Sequence, residues 1–428
     1  MILAGGKLYD TEDQDKILSG LEEEINKTRE EKALSAETVI HAAEKLCARV
    51  KEGAFDPLFQ ELGLDCKKIV EMASHFLSAE SIRYRLEIEL AGLTAGEMKT
   101  GCAADGKSVT IRPMPLGTLF HIAAGNMDGL PAFSVAEGLL TGNVNILKLP
   151  QADRGISVAV LQELVRLEPE LADFLYVFDT PSSDLSAMKK MAQMSDGIVV
   201  WGSDEAVAAV RRLAPVTVKL IEWGHKLGFA YISGYENQAQ ELRALARHIV
   251  ETDQLLCSSC QTIFLDTDNM EEVWDFCREF LPLLESEAAK RPRPQIGAAA
   301  EITLRRYGGT LERILGGQAD GEKSFYGEFC RLTACTDSVL ELSGMFGDCL
   351  VKRLPRDKLF SVLRRQKGYL QTAGLICASP KREELTTLLA RAGVVRITRA
   401  GNMSEAFEGE AHDGRYPLRE YLRIVNIE

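Results

Sequence analysis

Several things are missing from this chain, and each absence excludes something. No apolar run is long enough to span a membrane, which takes about 20 consecutive apolar residues. Positive charge is in deficit: Lys and Arg number 50 against 63 Asp and Glu, a net charge of -13. A nucleic-acid binder carries a basic face to neutralise phosphates, so that class is excluded. Ten cysteines are scattered along the chain, and only Cys257 and Cys260 are closely spaced. With no second C-x-x-C and no H-x-x-x-H, a four-ligand zinc framework is not supported, and no metal is expected. The opening stretch "MILAGGKLYDTEDQ" turns polar too soon for a signal-peptide core. There is no internal repeat and no low-complexity linker. What remains is a 428-residue chain, 46% hydrophobic, long enough for two or three domains. The expected compartment is a reducing cytoplasm, where most thiols stay free.

The first stretch that is there is helical. From residue 11 to about 95, apolar residues recur at three-to-four spacing among charges, with Ser35 placed to start a helix. The texture then changes. "TLFHIAAGN", "VNILKLP", "FLYVFD", "DGIVVWG" and "VTVKLIEWG" read as strands, alternating with helices such as "LPAFSVAEGLL" and "DEAVAAVRRLA". That alternation predicts a parallel sheet covered on both faces, with ligands at the carboxyl ends of its strands. A second strand and helix series opens at "DQLLCSSCQTIFLD" and runs to "VVRITRAG"; "LREYLRIVNIE" reads as one last strand.

Five segments at strand ends carry chemical groups: Asn126 after "HIAAG", Lys148 in "LKLPQ", Gly202-Ser203 opening a helix, Glu222 in "IEWGHK", and Cys257. Separately each is weak. A Gly-Ser before a helix can hold phosphate on backbone N–H groups, but it is also a common turn. A strand-end Glu is usually ion-paired, and a lone Cys is usually a small core residue.

Their order is specific. Asn, Lys, Gly-Ser, Glu and then Cys is the order of parts in the aldehyde dehydrogenase superfamily, which residues 105–400 resemble. The intervals also fit: 22 residues from Asn126 to Lys148, 76 from Asn126 to Gly202 and 35 from Glu222 to Cys257. "PLGTLFHIAAGNMDGLPAFSVAEGLLTGNVNILKLP", "CSSCQTIF", "LQTAGL" and "HDGRYPLREYLRIVNIE" resemble the narrower group of LuxC-like acyl-CoA reductases, from about residue 110 to the C-terminus.

The resemblance implies an aldehyde dehydrogenase-like α/β fold in four parts. Residues 1–100 would be helices on the nucleotide-binding domain, 101–224 a Rossmann-type nucleotide-binding domain, 225–398 an α/β catalytic domain, and 399–428 a C-terminal oligomerisation segment. It also implies NADPH-dependent reduction of an acyl thioester to an aldehyde. Cys257 would be the nucleophile, since a thiolate takes an acyl group from a thioester readily. Cys260 stands where relatives carry proline and reads as a bystander. Asn126 would donate to the oxyanion with the Cys257 N–H, and Glu222 corresponds to the family's general base. Lys148 and Gln151 would meet the adenosine ribose, Gly202 and Ser203 the pyrophosphate, with Trp201 and Ala124 beside them. Neutral Gln151, where NAD-selective members carry Glu, and nearby Arg154 favour NADPH over NADH, though NADH stays possible. Gly344 replaces the glutamate that usually grips the nicotinamide ribose. The expected partners are an acyl-CoA, acyl-carrier or acyl-enzyme donor and further copies of the chain, as dimer or tetramer. One alternative is a hydrolytic aldehyde dehydrogenase using Glu222; another is a non-catalytic C-x-x-C protein that binds metal or senses redox state. His412, Asp413 and Arg415 match the narrower group, but spacing assigns them no role.

Overall fold

A computed structural model describes residues 1–102, 104–125, 129–292, 296–317 and 321–428. The chain divides into two compact units, one made of residues 1–224 with 407–428 and the other of residues 225–406. Among the described residues no helix is long and apolar enough to cross a membrane.

The first unit is built on a seven-stranded sheet. Its strands are β1 (Ile2–Ala4), β2 (Lys7–Tyr9), β5 (Thr118–Ile122), β6 (Val144–Lys148), β7 (Leu175–Phe178), β8 (Gly197–Trp201) and β9 (Lys219–Trp223), in the order β2-β1-β7-β6-β5-β8-β9. The five from β5 to β9 are parallel. β6, β7 and almost all of β5 and β8 are buried, as a sheet covered on both faces requires. Read from β7 to β9, the order is that of a dinucleotide-binding sheet, and it reverses between β5 and β8. Ligands collect at that switch point, outside the carboxyl ends of the strands.

Five helices precede the parallel strands: Gln14–Glu31, Ala36–Lys51, Asp56–Glu61, Cys66–Phe76 and Ala79–Leu90. Ser35 caps the second, its Oγ accepting from the Thr38 N–H at 3.1 Å. Leu18, Leu21, Val39, Ile40 and Leu46 join Ile146, Leu147 and Val177 in one core. Each such burial stabilises by about 1.5–3 kcal/mol. The first ten residues carry no helical pattern and form the β1–β2 hairpin, with β1 added antiparallel to β7. Its turn residues Gly5 and Gly6 sit at φ +52° and +73°, the left-handed geometry of a two-residue hairpin turn.

A small antiparallel sheet joins β3 (Lys99–Cys102), β4 (Ser108–Pro115) and the C-terminal β17 (Leu422–Ile427). The returning segment is held by buried charge: Arg85 bridges Glu89 and Glu137, Tyr421 Oη donates to Glu137 at 3.3 Å, and the Leu418 N–H donates to Glu89 at 3.1 Å. Burial pushes the Glu137 carboxyl up, against the pull of Arg85.

The second unit has its own seven strands: β10 (Leu227–Ser233), β11 (Cys260–Leu265), β12 (Lys323–Tyr326), β13 (Arg331–Cys335), β14 (Asp348–Arg353), β15 (Leu370–Cys377) and β16 (Arg396–Arg399), in the order β12-β13-β14-β11-β10-β15-β16. All but β12 run parallel. The unit runs to Ala406 rather than stopping at 398, because Ala400 and Met403 lie in its core beside Leu245 and Ile249.

Candidate functional site

At the carboxyl ends of β5, β6, β8 and β9 the first unit gathers Ala124, Lys148, Gln151, Trp201, Gly202, Ser203 and Glu222. Asn126 lies outside the described residues. Trp201, the last residue of β8, is fixed from inside. Its indole N–H donates to Ser134 Oγ at 3.1 Å; Ser134 Oγ lies 2.8 Å from His121 Nδ1; His121 Nε2 lies 3.0 Å from Asn145 Oδ1; and the Asn145 amide donates to the Asn143 carbonyl at 2.7 Å. Because Asn145 Oδ1 only accepts, His121 must carry its proton on Nε2 and accept at Nδ1 from Ser134. Every proton then runs one way, from Trp201 inward. Full burial keeps this ring neutral, with its pKa lowered to about 4. Gly138 makes the room: a Cβ there would meet Asn145 Oδ1 at 1.8 Å.

Gly202 follows, its N–H donating to the Trp223 carbonyl at 3.2 Å. Ser203 caps the helix Asp204–Leu213 through the Ala206 N–H at 3.4 Å. Asp204 and Glu205 already complement this helix N-terminus. Lys148 is 3% exposed and donates to Ser182 Oγ at 2.9 Å; desolvation lowers its pKa. Gln151 is exposed. Arg154 donates to the Leu62 carbonyl at 3.1 Å.

Glu222 is side-on to Arg211, with Nε and Nη2 donating to its two carboxylate oxygens at 2.5 and 2.6 Å. Arg415 Nη2 donates to the Glu222 carbonyl at 2.6 Å, and its guanidinium lies 4.5 Å over the Trp223 ring. The His412 ring sits 5.0 Å from both Trp201 and Trp223, whose rings are 5.5 Å apart. The turn presenting His412 and Arg415 is Asp413-Gly414, at φ +50° and +77°, a hairpin-turn pair. Trp223 Nε1 is buried without a hydrogen-bond partner.

In the second unit Cys257 lies three residues before β11, at the amino end of that strand, so the carboxyl-end rule does not locate it. Cys257 is exposed and Cys260 buried. Burial raises the Cys260 thiol to about 12, which leaves it in the unreactive protonated form. The loop backbone passes over Gly228, where a Cβ would lie 2.5 Å from the Ser259 carbonyl oxygen and 2.8 Å from that of Ser258. β10 is bulged at the same place.

Two amide side chains stitch the loop to the 343–347 turn. Gln254 Nε2 donates to the Cys260 carbonyl at 2.8 Å, and its Oε1 accepts from the Gly347 N–H at 3.1 Å. Gln261 Nε2 donates to the Gln254 carbonyl at 2.7 Å, and its Oε1 accepts from Ser343 Oγ at 2.8 Å. The Cys260 N–H donates to His248 Nε2 at 3.2 Å. His248, pushed down to about 4 by burial, can accept because it stays neutral. Asp253, Gln254, Met345 and Phe346 all have left-handed φ, between +48° and +60°, and the Phe346 N–H donates to the Asp253 carbonyl at 3.0 Å. Such strain costs of order 1–3 kcal/mol per residue and clusters at functional sites. Gly344 is glycine for space: a Cβ there would meet Asp348 Oδ2 at 2.1 Å, and Asp348 is itself paired with Arg331 at 2.5 Å. His225 packs 6.1 Å from Tyr369.

Glu322, Cys335 and Asp337 come close enough to suggest a metal. Arg313 pairs with Glu322, and Lys352 with Asp337 at 2.8 Å, so the group is a compensated ionic network. Sequence reasoning singled out Arg415 without a role and missed Arg211, His121, His248, Gln254, Gln261 and Gly228, because each acts through a partner far along the chain or on another element.

A family model described as acyl-CoA reductase (LuxC) matches residues 57–424. Among curated proteins, the long-chain acyl-protein thioester reductase of Aliivibrio fischeri is 24% identical over 74% of this chain and 65% of its own length. The protein of that name in Photorhabdus luminescens is 25% identical, with the same coverage. The chain thus spans slightly less than two thirds of these relatives. Among solved structures, a 3,6-anhydro-L-galactose dehydrogenase superposes with a TM-score of 0.69 and 15% identity, over 100% of this chain and 99% of its own. An NADP-dependent glyceraldehyde-3-phosphate dehydrogenase from Bacillus halodurans superposes at 0.70 and 14%, over 100% and 98%. The aldehyde dehydrogenase 21 of Physcomitrella patens does so at 0.70 and 14%, over 98% and 90%. The fold is that of the aldehyde dehydrogenases.

Proposed function

Because the chain belongs to the acyl-CoA reductase (LuxC) family, we propose that it reduces an acyl thioester to an aldehyde through a thioacyl-cysteine on Cys257. The observation that carries this reading is the contrast within one short loop: Cys257 is exposed on a strained, cross-linked backbone, and Cys260 is buried and protonated. The Cys257 thiolate attacks the thioester carbonyl, the donor thiol leaves, and the acyl group stays on sulfur. The Cys257 N–H and Asn126 are the donors assigned to the oxyanion. A bound reduced nicotinamide supplies the hydride. Thiohemiacetal collapse then returns the thiolate and releases aldehyde.

The residues of the first unit fit a dinucleotide. The strand order reverses between Ala124 and Trp201-Gly202, Gly202 has no side chain to obstruct a close approach, and Trp201 is held rigid by the His121 chain. Neutral, exposed Gln151 offers a 2′-phosphate no repulsion, which favours NADPH while leaving NADH usable. The donor is an acyl group on CoA or on a carrier protein; the family's name and the relatives' names support one each. Homo-oligomer formation is assigned to the sheet of β3, β4 and β17, which exposes Val109, Ile424 and Ile427.

Incubation with acyl-CoA in the absence of nicotinamide, followed by intact-protein mass spectrometry, tests the chemistry. An acyl adduct should appear on the wild type and on Cys260→Ser and be absent from Cys257→Ser. Failure of the wild type to acylate, or an adduct on Cys257→Ser, sinks the proposal.

A further inference from the structure

Cys257 is the second residue of a four-residue turn, residues 256–259. The turn is closed twice: the Ser259 N–H donates to the Leu256 carbonyl at 2.9 Å, and the Leu256 N–H donates to Ser259 Oγ at 3.1 Å. These two bonds fix the shape of the turn but not its direction relative to the sheet. Direction is set where the turn enters β11, at Cys260. The register between β10 and β11 slips there, at Gly228, and such a slip disrupts the ladder locally. The Cys260 N–H goes to a side chain instead, His248 Nε2 at 3.2 Å, while Gln254 holds the Cys260 carbonyl at 2.8 Å. His248 stands on the helix Gln238–Thr252 and is 3% exposed. Its own carbonyl accepts from Thr252 Oγ1 at 2.9 Å, and Thr252 Oγ1 accepts from the Gln254 N–H at 3.3 Å. One histidine is thus tied to both ends of the loop that carries Cys257.

We propose that His248 is a positioning residue for acyl transfer: by accepting the Cys260 N–H it fixes the direction in which the 256–259 turn presents the Cys257 sulfur. The proposal rests on the acyl-transfer reading above. An acceptor at this place must reach a buried main-chain N–H and bring no proton of its own to that side. A neutral imidazole with its proton on Nδ1 does both. Burial, aided by Arg396 on β16, keeps the ring neutral. Remove the acceptor, and the Cys260 N–H is left buried and unpaired, so the peptide turns to find another partner. The turn keeps its two internal bonds and the thiol stays exposed, but the sulfur is presented in another direction. Attack on an acyl carbon is directional, and a misplacement of about 1 Å can cost about 10²-fold. His248 acts through the main chain at Cys260, not on the reacting atoms.

The test separates direction from exposure. The full-length protein is mixed with hexadecanoyl-CoA without nicotinamide, and the rate of adduct formation is read by mass spectrometry on the Cys257 peptide. In parallel, the rate at which iodoacetamide alkylates Cys257 is read on the same peptide. That reagent is small and free to approach from any open side, so its rate reports the exposure of the thiol. His248→Leu should slow acylation by at least about tenfold and alkylation by less than about threefold. His248→Gln, whose Oε1 can stand where Nε2 stood, should acylate within about threefold of the wild type. His248→Asn, one methylene shorter, should acylate as slowly as His248→Leu. The contrast between the glutamine and asparagine variants carries the test if the leucine variant does not fold. Acylation at the wild-type rate in His248→Leu or His248→Asn overturns the proposal and leaves acyl transfer on Cys257 standing. Equal slowing in His248→Gln and His248→Asn overturns it too, since the acceptor is then not what matters. Alkylation that falls as far as acylation also overturns it, because the thiol is then hidden and not turned. A wild type that takes no acyl group overturns the acyl-transfer reading, and this proposal falls with it.

Discussion

At the carboxyl end of the first sheet, buried His121 holds a side chain, the Trp201 indole, through Ser134. Beneath the Cys257 loop, buried His248 holds a main-chain N–H, that of Cys260. The first region is made of ordinary strand ends and a serine-capped helix, with one-way hydrogen bonds behind them. In the second, four non-glycine residues are in left-handed conformations, two glutamines tie turn to turn, and the loop backbone passes over Gly228 where β10 is bulged. A surface that only binds needs fixed donors and an open backbone. On the proposed reading the second surface presents the Cys257 thiol at the amino end of a strand, and its loop stores strain there.

The largest break in this comparison is Cys257→Ala, which should lower aldehyde formation by about 10³-fold or more; Cys260→Ser should keep most of it, as a steady-state assay would show. The histidines come next. Both have folded pKa values of about 4 against an ordinary 6.5. Between these limits the unfolded chain binds a proton that the folded chain refuses. Stability should therefore fall as pH drops from about 6.5 to about 4 and level off below. Each ring should contribute about 3 kcal/mol to that loss. Urea titrations at pH 7 and pH 4 read the sum, and His121→Gln and His248→Gln should each flatten the slope; an unchanged slope would refute the neutral assignment.

Gly228→Ala forces a methyl against two loop carbonyls and should cost about 1–3 kcal/mol. It should also slow acylation, whereas Gly106→Ala, at a turn open to solvent, should not change acylation. Gln151→Glu tests the first region alone. Placing a carboxylate near a 2′-phosphate should shift cofactor preference from NADPH toward NADH by about tenfold, or about 1.4 kcal/mol, measured as a ratio of kcat/KM values. The smallest effect is on stability in Arg211→Met. Arg211, the exposed partner of the half-buried Glu222, adds little there, so unfolding should change by less than about 1 kcal/mol, as a urea titration would show.

The alternation of strands and helices was legible because buried parallel strands read as short apolar runs, and Gly202-Ser203 opens a helix between two of them. The order from Lys148 to Cys257 was legible as a resemblance. The β1–β2 hairpin was not: two three-residue strands show no period, and β1 is a strand only because β7 accepts it. The limit of the second unit at Ala406 was equally hidden, since Ala400 and Met403 look no different from a surface turn until the core they fill is known. Arg211 was invisible as a partner of Glu222 because the two lie on different elements. Nothing in the sequence marks Gln254 and Gln261 as a pair of ties, because their partners Gly347 and Ser343 stand more than 80 residues onward.

The return of residues 407–428 to the first unit also sets a timetable. Synthesis delivers the five parallel strands early, but the segment carrying Leu418 and Tyr421 emerges only after residues 225–406. At about 5–20 residues per second, that delay is about 10–40 seconds. During it, Glu89 and Glu137 wait without their final partners, Asn143 lacks the Tyr421 carbonyl it will donate to, and β4 presents an unpaired edge. The earlier-born unit is thus the last to be finished, and the nascent chain depends longest on protection where its first half is still open.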